Sequence, residues 1–150
     1  MEITLSTNKG DVMREIAVTT AYTGGKMDND EKALERIPTV DEDENHLERF
    51  WDESRADICQ ELIGLVSYEG MSGDRYDLRL EVSNSFDRAL LPSMQVSLKS
   101  YFVQNMVAKW YVYGNKPEAG EYADKAATLL DDIHRKAVYK KKPRRPTYDD

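Results

Sequence analysis

Apolar residues recur every three or four positions across the stretch from Pro92 to Asn115. Met94, Leu98, Tyr101/Phe102, Met106 and Trp110/Tyr113 fall on one helical face. Val103, Val107 and Tyr111 carry the apolar surface past a single stripe, which predicts a helix packed from more than one side. Pro92 suits a first turn, where its missing N–H costs nothing, and Gly114 suits a left-handed stop. The rest of the chain is expected to lie against this central helix.

Two further helical periods flank it. Leu47, Phe50/Trp51, Ile58, Leu62 and Leu65/Val66 hold helical spacing as far as Tyr68, with Thr39 or Asp41 as the cap and Gly70 as the end. Residues 70–74 (GMSGD) then form a turn. After Gly114, Asn115 and Glu118 make a capping box with Pro117 in the first turn. Ala119, Tyr122/Ala123, Ala126, Leu129/Leu130, Ile133 and Ala137 follow as one stripe as far as Tyr139. Its small residues allow a close antiparallel approach to the central helix. A looser helical pattern covers Asp11 to Tyr22, with Val12 and Ile16 inward, Asp11 as N-cap and the residues Thr23-Gly24-Gly25-Lys26 as its break. Residues 26–40 are polar and predict a surface segment with one helical turn at Asp30–Arg36.

The period changes to two at Arg75–Ser83, where Tyr76, Leu78, Leu80 and Val82 alternate with Asp77, Arg79 and Glu81. A lone strand leaves its ladder unpaired, so a partner is required, either Ile3–Leu5 within Glu2–Ser6 or a strand of a neighbouring chain. The expected fold is mainly α (α+β): a bundle of about four helices with a small β element of one or two short strands. Residues 1–139 form its single domain and residues 140–150 a basic tail.

Composition narrows the function classes. The single cysteine, Cys59, excludes an intramolecular disulfide and a cysteine-based zinc site, and its position beside apolar neighbours predicts a small core residue. No apolar run reaches membrane-spanning length, because Lys99, Gln104, Asn105 and Lys109 interrupt the best candidate. The start has neither the basic nor the apolar region of a secretory signal, so an intracellular protein is expected. The net charge of −7 conceals an asymmetry: residues 135–150 carry a net +5, which leaves −12 on residues 1–134. Such a body repels nucleic acid, while Arg135, Lys136, Lys140, Lys141, Lys142, Arg144 and Arg145 offer a cationic contact. That tail suits nucleic acid or an acidic protein surface equally, with simple solubilisation as a third role.

Near-motifs for chemistry fail at identifiable positions. Gly24-Gly25-Lys26 lacks the first glycine of a phosphate loop, where Thr20 stands, and its magnesium-binding hydroxyl, where Met27 stands. Asp28 and Asp30 begin a calcium-loop pattern that Lys32, Ala33 and Thr39 break. Asp41, Glu42, Asp43 and Glu44 suit the positive end of a helix dipole and form an acidic interface candidate. His46 and His134 lie far apart with no second ligand at metal-binding spacing. The aromatic residues of the central helix have helical spacing and no interleaved arginine, which favours core or subunit packing over base stacking. No catalytic residue, cofactor or metal site is expected.

The aromatic helix (SYFVQNMVAKWYVYGN), its Pro-Glu turn, the helix EYADKAATLLDDIHRKAVY and the basic end KKKPRRP resemble small head–tail connector, or adaptor, proteins of tailed bacteriophages and prophages. The segments IAVTTAYTGGKM and DEDENHLERFWDE are likewise similar to prophage-encoded proteins. The resemblance implies a helical protein with a small β element that binds partners, catalyses nothing and forms a ring between portal and tail. It implies a place in the host cytoplasm or the virion, with portal or tail proteins as neighbours. An acidic body and a basic tail supply the two unlike patches that a head-to-tail ring contact needs. The alternative is a small helical regulator that uses the basic tail on nucleic acid.

Overall fold

A computed structural model describes residues 1–26 and 44–142. In chain order the elements are β1 (Glu2–Asn8), α1 (Lys9–Lys26), α2 (Glu44–Glu61), β2 (Val66–Ser72), β3 (Arg75–Glu81), α3 (Leu91–Gly114) and α4 (Lys116–Val138). A 3-10 turn at Arg88–Leu90 leads into α3, with the Asp87 carboxylate accepting from the Ala89 N–H. The fold is mainly helical with a small three-stranded antiparallel sheet. The order β1-β3-β2 places the clearest strand of the sequence in the middle.

That order follows from which strand has two apolar neighbours. Ile3, Leu5 and Thr7 of β1 stand opposite Leu80, Leu78 and Tyr76 of β3, and all six are buried on one face. The other face carries Glu2, Thr4, Arg79 and Glu81 and stays open. Of the two partners left open for β3, the one present is Glu2–Asn8 of the same chain. The third strand corrects the sequence reading, which ran the second helix on to Tyr68 and allowed one or two strands. Helix α2 stops at Glu61, Gly64 takes a left-handed φ of +88°, and Val66–Ser72 pairs with β3. Gly70, expected as the helix end, lies inside β2, where the ring of Tyr68 occupies the space a Cβ would fill. The hairpin turn itself is Gly73-Asp74, with Gly73 at φ +62°, a conformation that two-residue hairpin loops favour.

Side chains close the ends of these elements. Asn8 Oδ1 accepts from the Asp11 N–H at 3.0 Å, so the cap of α1 is Asn8 and not Asp11. Helix α1 also continues through Gly24 and Gly25 to Lys26 instead of breaking at Thr23. Thr20 is tolerated inside it because its hydroxyl donates back to the Ile16 carbonyl at 2.8 Å. The outer edge of β1 is closed by Gln95 of α3, which accepts from the Ser6 N–H at 3.1 Å and donates to the Ser6 carbonyl. Gly114 remains helical and no left-handed residue stops α3. Asn115 joins α3 to α4 through its backbone, and its buried side chain makes no capping bond.

Helices α3 and α4 form the antiparallel hairpin at the centre of the fold. Ser97 bonds Asp132 near one end of the hairpin, and Tyr111 meets Tyr122 edge-on near the other. Met94, Leu98, Tyr101, Phe102, Val103, Met106, Val107 and Tyr111 of α3 are buried, against the sheet and α2 on one side and α4 on the other. The small stripe of α4 buries Ala119, Ala126, Leu130, Ile133 and Ala137 as expected, although Ala123 is exposed. Trp110 is only half-buried. The tryptophan of the core is Trp51, 1% exposed, stacked on Phe102 at 4.2 Å and edge-on to Tyr76 at 5.9 Å.

Candidate functional site

A cleft of about 230 Å³ opens where α2 and α4 diverge over the middle of α3. Tyr101, Leu130, Ala123 and Ala127 line its apolar part, and Asp57, Gln60, Glu61, Asn105 and Asp131 its polar part. Asn105 organises one wall: its Nδ2 lies 2.8 Å from Ser54 Oγ and 3.4 Å from both Asp57 Oδ2 and the Tyr101 hydroxyl. The Tyr101 hydroxyl donates to the Ser54 carbonyl at 2.9 Å. Burial pushes the Tyr101 phenol well above its usual range, and the charges of Asp57 and Glu61 add to the shift.

The three carboxylates of the cleft differ in how they are compensated. Asp131 is bonded by Arg135 one turn on, with Arg135 Nε at 2.8 Å. Asp57 shares Lys109 with Glu53, at 3.9 and 3.2 Å. Glu61 is exposed and has no ion-pair partner among the described residues. The cleft therefore presents an apolar trough with residual negative charge at its rim.

A second cleft lies between α2 and β2, lined by Asp52, Arg55, Ala56, Cys59 and Glu69. Glu69 points to the core side of an edge strand, and Arg55 holds it with two bonds of 3.0 and 2.9 Å. Cys59 is half-buried there and not a full core residue, which corrects the expectation. Burial, and then the charge of Glu69, push its thiol up, so its thiolate is disfavoured. Tyr76 is raised likewise, first by burial and then by Glu69.

The residues singled out in the sequence are not brought together. Arg135 and Lys136 are already engaged, Arg135 by Asp131 of α4, and Lys136 by Asp132 of α4 at 2.9 Å and by Ser93 of α3 at 3.0 Å. Lys140, Lys141 and Lys142 are exposed and carry no ion pair among the described residues. The Lys141 N–H donates to the Ser85 carbonyl at 2.8 Å, which ties residue 141 to the approach to α3. Arg144 and Arg145 lie outside the described residues, as do Asp41, Glu42, Asp43, the caps Thr39 and Asp41, the calcium-like Asp28 and Asp30, and the turn at 30–36. Glu44 opens α2, where its charge faces the positive end of the helix dipole. His46 sits 6.5 Å from the Phe50 ring, remote from His134 on α4. Among the described residues, no three His, Cys, Asp or Glu side chains gather at metal-binding distance, and no helix is long and apolar enough to cross a membrane.

Sequence reasoning missed the cleft because its carboxylates come from two helices distant in the chain, and each alone resembles a solvated helix face. Compared with known proteins, the chain matches no family model, no curated protein and no solved structure.

Proposed function

We propose that this chain is a non-enzymatic structural subunit that assembles head-to-tail into a ring, the role of a head–tail connector in a tailed phage or prophage. The observation that carries this reading is the separation of uncompensated charge. Glu61 stands at the rim of the α2–α4 cleft, while Lys140, Lys141 and Lys142 project beyond the end of α4, and neither set is paired among the described residues. Two unlike, complementary patches on one subunit favour a heterologous contact, which closes into a ring where the rotation permits. Val96, Val112 and Tyr113 on α3 and Val138 on α4 are exposed and add apolar area to such a contact. Portal or tail proteins are the further partners on this reading, with the chain in the host cytoplasm before assembly and in the virion after it.

Sedimentation velocity and negative-stain microscopy of the purified protein at low and high salt test the assembly. A closed ring that loosens with salt is expected, since exposed ion pairs are screened. A monomer at every concentration and salt overturns the reading. Tight binding to duplex DNA by such a monomer assigns the tail to nucleic acid instead.

A further inference from the structure

We infer that the α2–α4 cleft receives the basic C-terminal segment, residues 140–146, of a second copy of this chain; the inference rests on the ring assembly proposed above. The cleft matches the chemistry of a lysine or arginine side chain. Its trough of Tyr101, Leu130, Ala123 and Ala127 accommodates an aliphatic stem, and the carboxylates at its rim face the terminal cation. Glu61 is the rim group with no internal partner among the described residues, and the Asp57 carboxylate is held only loosely by Lys109 at 3.9 Å. The segment supplies three exposed lysines, and Arg144 and Arg145 follow in the sequence.

The geometry favours a neighbour's segment over the chain's own. The Lys141 backbone is fixed to Ser85, ahead of the first turn of α3. The cleft lies against Tyr101 and Asn105, roughly 15–20 Å further along α3 at 1.5 Å per residue. Lys140, Lys141 and Lys142, anchored at that end and exposed, are placed by the inference against the cleft of a copy stacked end-on. A single exposed pair contributes little, so several must act together, and reversing the charge of one rim carboxylate, which replaces an attraction by a repulsion, weakens capture about tenfold.

A fluorescent peptide of residues 139–150 is titrated into the full-length protein at low salt and followed by anisotropy. The same titration is made with Glu61→Lys in the cleft and with Glu2→Lys on the open face of the sheet, which changes the net charge equally. Saturable capture weakened about tenfold by Glu61→Lys, and less than twofold by Glu2→Lys, is expected. The isosteric Glu61→Gln gives a smaller loss in the same direction and guards against a misfolded reversal. Equal weakening by Glu61→Lys and Glu2→Lys, or no capture by the unmodified protein, overturns the inference. Sedimentation of the full-length forms separates it from the ring reading. Rings that persist unchanged with Glu61→Lys remove the cleft and leave the ring, whereas a monomer that captures the peptide only through Glu61 removes the ring and leaves the cleft.

Discussion

Trp51 and Trp110 show how much an aromatic residue's weight depends on surroundings that its own segment does not reveal. Trp51 is enclosed by Phe102 and Tyr76 from two other elements, whereas Trp110 keeps part of its surface in water. Trp51→Ala is therefore expected to cost roughly 3–5 kcal/mol, the range for emptying a large core site, and Trp110→Ala less than about 2 kcal/mol. Urea denaturation of the two variants measures the difference, and a larger loss for Trp110 would refute the core assignment. Tyr76 and Tyr101 make a second prediction through their ionisation. Burial raises both phenols above tyrosine's usual value of about 10, so both stay protonated in the native state where the unfolded chain has begun to ionise. The unfolded state then binds fewer protons, and stability falls as pH rises beyond about 10. Phenolate absorbance monitored with far-ultraviolet circular dichroism should show these two tyrosines ionising together with unfolding.

The boundaries of the elements are decided by single contacts. Gln95 closes the free edge of β1 with two bonds to Ser6, so Gln95→Leu leaves an N–H and a C=O without partners at the sheet–helix junction. A loss of about 1–3 kcal/mol is expected, with faster amide exchange at Ser6 than in the unmodified protein. At Gly64 a Cβ would meet nothing within 4 Å, yet φ is +88°, so Gly64→Ala should cost about 1–2 kcal/mol through backbone conformation alone. A stability unchanged by Gly64→Ala would mean that α2 ends differently in solution. The expected continuation of this helix to Tyr68 failed because Leu62, Leu65 and Val66 fit helical spacing. An edge strand such as β2, half-buried and irregular in its alternation, carries no strong period of its own.

For the molecule as a whole, the hairpin of α3 and α4 already buries its stripe before the chain reaches Lys140. Removing residues 140–150 deletes the Lys141–Ser85 bond, for an expected cost of about 1 kcal/mol, and leaves the fold intact. Self-association at low salt should be lost at the same time. Differential scanning calorimetry beside sedimentation checks both halves, and full assembly of the shortened chain would remove the tail from the interface.

The helical class, the central aromatic helix, its antiparallel partner and the strands β1 and β3 were legible in the sequence, because each has a period of its own, whereas the choice of β1 over a neighbour's strand as the partner of β3 was not. The tertiary structure alone decided the third strand, since the backbone of β2 is satisfied by β3 and not by its own helix. It alone decided which tryptophan is central, because enclosure is a property of neighbouring elements. It alone also brought Asp57, Glu61 and Asp131 to one cleft, because helices far apart in the chain become neighbours only after α2 and α4 have both docked on α3.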